Sequence, residues 1–258
     1  MTDLPYVPPP THHPMGLFLC RFAPWYAVWI ARRNLDGVFA NGLDDVRRQL
    51  EKGPVILAAN HLSWWDGQIM LIVNRSLGVT GRFFIVADRA QELSYLRHLG
   101  GITIDRVTVG GTIGGIEEAA AFLSGPGRLL WIFPQARYRS PSIRPLGLER
   151  GVSLLHRMSG AVVIPTGMLA GWRDLHVPAW AIGFAAPVTG RERFMERLES
   201  GIVEQIDALD VWFDTPNRPP MPAIVPSVIV PFENRAGSRF YLFWARLWGA
   251  VTGLFKRD

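Results

Sequence analysis

The chain has 258 residues, 48% hydrophobic, 11% aromatic and only 19% charged, with a net charge of +5, ten tryptophans and a mean hydropathy of +0.14. That length suits one large domain with short appendages, and no stretch of eighteen residues is free of charge, so an ordinary membrane-spanning helix is excluded. A greasy, Trp-rich, basic chain without a span fits a protein lying on a membrane surface, and the absence of zinc-finger spacing or an RNA-recognition signature argues against a nucleic-acid partner.

Residues 1–15 read as a polar, Pro-rich tail without the basic-then-apolar order of a signal peptide. Its His12-His13 pair lacks the second, spaced pair that a metal site needs. Residues 16–33 form an apolar and aromatic run interrupted by Arg21 and Pro24 and closed by Arg32-Arg33, which suits an interfacial helix. Within it lies Cys20, the one cysteine. It excludes a disulfide framework, fits a reducing compartment and reads as packing.

From about 34 to 212 strand and helix patterns alternate. Short apolar runs at 54–60, 82–88, 101–106, 128–134 and 161–169 read as buried strands. Helical patterns fall near 66–77, 89–99, 112–124, 149–159 and 191–209. Strands separated by helices predict an α/β domain with a mostly parallel central sheet flanked by helices. The glycines at 110, 111, 114 and 115 do not fit a dinucleotide-binding fingerprint and read as a turn opening a helix. Residues 213–258 combine a Pro-rich extended linker with an aromatic segment, 239–257, closed by Lys256-Arg257, which reads as a second in-plane helix.

Chemistry concentrates at Asn60-His61-Leu62-Ser63-Trp64-Trp65-Asp66, at the carboxyl end of a buried strand, where α/β sheets place their sites. A histidine there can serve as a general base, and a carboxylate on its far ring nitrogen would fix the tautomer. The geometry requires His61 on the strand-end loop and Asp66 at the start of the following helix, since five residues along one helix would separate the two faces. Asp66 also has a plain reading as a helix cap. Ser63 lacks the context of a nucleophilic serine. Arg106 could bind phosphate bidentately or pair with Asp105. Arg137, Arg139 and Arg144 could form an anion-binding rim or be solvated charges.

Asn60-His61-(x)4-Asp66 resembles the first motif of the glycerolipid and lysophospholipid acyltransferase family. Gly101 to Arg106 resembles the second. Phe133-Pro134-Gln135-Ala136-Arg137-Tyr138-Arg139-Ser140 resembles the third, Phe-Pro-Glu-Gly followed by Thr or a basic residue. Leu148-Glu149-Arg150-Gly151 resembles a downstream Phe-Lys-x-Gly stretch, and Val163-Ile164-Pro165 the fourth motif. The resemblance covers about 34–190 and implies a glycerol-3-phosphate acyltransferase-like fold. It also implies that His61, oriented by Asp66, deprotonates an acceptor hydroxyl that attacks the thioester of acyl-CoA or acyl-carrier protein. The acceptor would be held by Arg106, Gln135, Arg137 and Arg139. No resident cofactor or metal is implied, membrane lipids are the expected partners, and the cytoplasmic face of a membrane is the expected location.

Two departures stand out. Gln135 replaces the family's Glu and Ala136 its Gly. Ala disfavours positive φ, so the loop is expected to take a different path. An altered acceptor pocket follows, with a non-phosphate acceptor such as a lipid or carotenoid glycoside as one alternative to lysophosphatidic acid. A non-catalytic lipid-binding protein is a second alternative, opposed by the presence of both His61 and Asp66.

Overall fold

The computed structural model describes residues 14–79, 82–86, 100–105, 108–173 and 175–229. In chain order these form α1 (Pro14–Asn34), β1 (Val38–Asn41), α2 (Leu43–Lys52), β2 (Val55–Ala59), α3 (Trp65–Leu77), β3 (Arg82–Val86) and β4 (Gly101–Ile104). There follow α4 (Val109–Phe122), β5 (Leu129–Ile132), α5 (Gly151–Ser159), β6 (Val162–Gly171), β7 (Ala179–Phe184), α6 (Phe194–Asp214) and β8 (Ala223–Val225). The expected helices at 89–99 and 239–257 lie outside the described residues.

One eight-stranded sheet, in the order β4-β3-β5-β2-β6-β7-β1-β8, carries the domain. It is covered on both faces, which is why β2, all five residues buried, is an unbroken apolar run rather than an alternating one. Val55, Leu57 and Ala59 join the core shared with α1, α2 and α3. Ile56 and Ala58 point the other way, into the core under α4, α5 and α6.

The sheet is mixed, which corrects the mostly parallel expectation at one end. β1–β7, β2–β5, β2–β6, β3–β4 and β3–β5 pair in parallel, but β6–β7 and β1–β8 pair antiparallel. The strands on that side, β1, β7 and β8, are absent from the strand pattern in sequence. β8 comes from the segment read as a linker: prolines flank Ala223–Val225, and the strand pairs only with β1 at the sheet edge, where proline is tolerated.

The glycine-rich run also differs from its expected turn. Gly110, Gly111, Gly114 and Gly115 lie inside α4. A Cβ on Gly111 would sit 2.4 Å from the Asp105 Cβ, and one on Gly115 would sit 2.7 Å from Ile104 Cγ1 and the Thr103 carbonyl. The glycines let the helix lie directly on β4, a contact that outweighs their poor helix propensity.

α1 packs on α3 through its small residues Ala27 and Ala31 and leaves a stacked aromatic row, Phe18-Phe22-Tyr26-Trp29, exposed. Burial pushes the Cys20 thiol up, keeping it protonated. Among the described residues no helix is long and apolar enough to cross a membrane.

Candidate active site

β2 ends at Ala59, and the ladder to β6 is continued by a side chain. Asn60 Nδ2 donates to the Met168 carbonyl at 2.9 Å, and its Oδ1 accepts from the Met168 N–H at 2.7 Å. Asn60 is buried, and its two bonds fix the peptide from which His61 departs. His61 and Leu62 then lie outside regular structure before α3 begins.

Asp66 sits in the first turn of α3 rather than at its cap. Its Oδ2 takes three bonds: from the His61 ring at Nδ1 (2.6 Å), from Leu62 N–H (2.7 Å) and from Ser63 N–H (3.1 Å). The same carboxylate therefore closes the strand-to-helix turn and orients the imidazole; it bonds the turn before α3 rather than capping the helix. Its side chain is 1% exposed, against 24% for His61. With Nδ1 engaged inward, the imidazole directs Nε2 away from Asp66. The ring is stacked on Phe133 at 4.5 Å between centroids and meets Tyr138 at 4.4 Å, an apolar collar that confines its orientation.

The loop after β5 wraps the His61 peptide on both sides. Gln135 Oε1 accepts the His61 N–H at 2.8 Å, and Arg139 N–H donates to the His61 carbonyl at 2.9 Å. Gln135 Nε2 donates to the Leu146 carbonyl at 3.3 Å, and Arg139 Nη1 to the same oxygen at 2.7 Å. Thus Gln135, placed at the acceptor in sequence, is buried with both polar atoms spent on backbone. Arg139 is half-buried and partly engaged, and Arg137 is exposed. Arg144 pairs with Asp207 of α6 at 2.9 Å. Arg106 lies outside the described residues.

Ala136 takes the conformation that its Cβ was expected to disfavour. It adopts φ 55°, the left-handed conformation usually left to glycine. Its N–H closes a turn onto the Phe133 carbonyl at 2.9 Å, and the Glu149 N–H ties down the Pro134 carbonyl at 2.8 Å. Those bonds offset a conformational cost of about 1–2 kcal/mol.

Gly101 opens β4. Pro165 lies inside β6, paired with Ala58 of β2. Its carbonyl accepts from Ala185 on the β7 side, so its missing N–H faces the place where the β7 ladder has ended at Thr166–Phe184 and removes nothing from the β2 ladder. An open cleft of about 440 Å³ lies beside His61, lined by Leu62, Ser63, Tyr138, Arg139, Leu169 and Trp180 among others. Tyr138 and Trp180 were not singled out in sequence. Tyr138 lies in the stretch that resembles the third motif but was given no role there, and Trp180 comes from the unread β7.

A histidine held by a buried carboxylate at a strand end and flanked by an aromatic collar is an arrangement suited to acid–base chemistry, and a mostly apolar cleft lies against its neighbours Leu62, Ser63 and Tyr138. The acyltransferase family model matches residues 38–169, just over half of the chain, and the protein belongs to that family. Among solved structures it is similar to the 1-acyl-sn-glycerophosphate (LPA) acyltransferase PlsC from Thermotoga maritima. The TM-score is 0.52 and the identity 17%, over 78% of this chain and 81% of that one. At that identity the likeness is one of fold. A comparison with curated proteins gives no match.

Proposed function

We propose that this acyltransferase moves a fatty acyl group from acyl-CoA or acyl-carrier protein to the hydroxyl of a lipid acceptor. The observation that carries the reading is the 2.6 Å Asp66–His61 bond at Nδ1 beside an open, mostly apolar cleft. Nε2 takes the proton of the acceptor hydroxyl, and the oxygen attacks the thioester carbonyl. The tetrahedral intermediate collapses with expulsion of the thiolate, which recovers the proton from the imidazolium. Asp66 stabilises that imidazolium and fixes the tautomer.

The acceptor we place first is a lysophosphatidate, the type named for the similar Thermotoga enzyme. The two motif departures no longer argue against it: Ala136 holds the turn, and Gln135 faces inward. No observation favours a glycoside acceptor. Membrane-surface docking through α1 is supported by its exposed aromatic row and its terminal Arg32 and Arg33.

The test is thiol release from palmitoyl-CoA in the presence of lysophosphatidate, lysophosphatidylcholine or a lipid glycoside. His61→Ala should lower kcat by about 10²–10⁴-fold with the fold intact. Asp66→Asn should cost a comparable factor, because the tautomer is released. A folded His61→Ala variant with near-full turnover would end this mechanism.

A further inference from the structure

The geometry points to Gln135 as a positioning residue, whose amide sets the His61 peptide and the 136–146 loop in one register and for which the family's Glu is the poorer choice in this chain. The inference rests on the reading of His61 as the base. Gln135 has two neighbours of opposite kind, the His61 N–H, which can only donate, and the Leu146 carbonyl, which can only accept. A primary amide satisfies both at once. A carboxylate satisfies only the first and sets a negative oxygen against the Leu146 carbonyl.

The rest of the anchor makes that loss consequential. The Leu146 carbonyl also receives Arg139 Nη1, and the Leu146 N–H is held by Glu199 of α6. Arg139 in turn holds the His61 carbonyl through its own N–H. A carboxylate at 135 would repel the Leu146 oxygen and draw the Arg139 guanidinium off it, so both donors at that carbonyl would be disturbed. The charged and titratable groups at the anchor are Arg139 of the same loop, Glu199 of α6, and His61 with Asp66 behind it and Tyr138 against its ring. Gln135 is only 5% exposed and both ends of its amide are used, so it acts through His61 rather than on the acceptor.

The amide's two-sided role predicts a pH signature. A protonated carboxyl group again has one acceptor and one donor, so Gln135→Glu should regain the native bonding as pH falls through the titration of its new side chain. Gln135→Met, of similar length and without polar atoms, has nothing to regain.

Full-length wild type, Gln135→Glu, Gln135→Met and His61→Ala would be compared by hydrogen–deuterium exchange and by kcat and KM on the best-used acceptor of the panel above. At neutral pH, Gln135→Glu should lower kcat about tenfold, the equivalent of roughly 1.4 kcal/mol, with the acceptor KM within about twofold. Peptides spanning 58–64 and 136–147 should exchange faster. The ratio of Gln135→Glu to wild-type kcat should climb as pH falls toward about 5, while that of Gln135→Met stays flat. A selective change in acceptor KM with kcat preserved would overturn the assignment and return Gln135 to the acceptor pocket. Unchanged exchange in both Gln135 variants would overturn it equally. A fully active His61→Ala would remove the base reading instead, and exchange would then decide the anchor alone.

Discussion

α1 and α6 are both helices of 21 residues, both rich in aromatic and aliphatic side chains, and they use them in opposite ways. α6 turns Phe194, Leu198, Ile202, Ile206, Leu209, Trp212 and Phe213 into the core. It can do so because the strands beneath it are cleared by glycine. A Cβ at Gly167 would stand 2.5 Å from the Gln205 Cβ and 2.8 Å from the Ile206 backbone nitrogen, and one at Gly171 would meet the Phe213 ring at 2.6 Å. α1 docks through Ala27 and Ala31, and its large aromatics are left outside. Greasiness alone therefore does not tell which helix builds the core. The side that carries the small residues, or meets small residues on the partner, is the side that can approach.

The comparison can be broken from the α6 end first. Trp212→Ala removes a buried ring that tilts against Phe39 at 5.3 Å and donates its indole N–H to the Pro219 carbonyl at 2.9 Å. The expected loss is about 3–5 kcal/mol in urea unfolding, and a loss below about 1 kcal/mol would mean that α6 is not the core helix described. Next comes Gly167→Ala, which adds only a methyl group but directs it at helix backbone. About 1–3 kcal/mol of destabilisation is expected, read as a lowered Tm, and an unaltered Tm would show that α6 can retreat freely. The smallest effect on stability belongs to α1. Phe18→Ser with Phe22→Ser should change unfolding free energy by no more than about 0.5 kcal/mol, since both rings are exposed. Yet it should lower the fraction of protein that co-sediments with vesicles containing anionic lipid. Equal sedimentation of wild type and double variant would leave the exposed row without the surface role proposed for it.

The site divides along a similar line. The His61–Asp66 pair was legible because it is local: six residues span the exit from a strand, a tight turn and the first turn of a helix, and the types that suit a base and its orienting carboxylate stand at the two ends. The apolar runs of β2, β5 and β6 were legible for an equally simple reason, since strands covered on both faces need no polar alternation. The antiparallel side of the sheet was not legible. β7 is a six-residue run outside the helix-strand alternation, and β8 is three residues set among prolines, recognisable only by the β1 edge that they help to extend or cover.

The sequence by itself determined the residue types proposed for the chemistry, the strand that leads into them, the α/β class and the aromatic character of α1. Only the tertiary structure decided what those side chains meet. Asn60 finds Met168 across 108 residues and Gln135 finds His61 across 74, because burying both faces of the sheet sets the register of β2 against β5 and β6. An amide's capacity to donate and accept is written in the residue type. Whether it is spent on a substrate or on the backbone depends on which peptide groups the folded sheet brings beside it, and here a donor and an acceptor arrive together, leaving Gln135 turned inward.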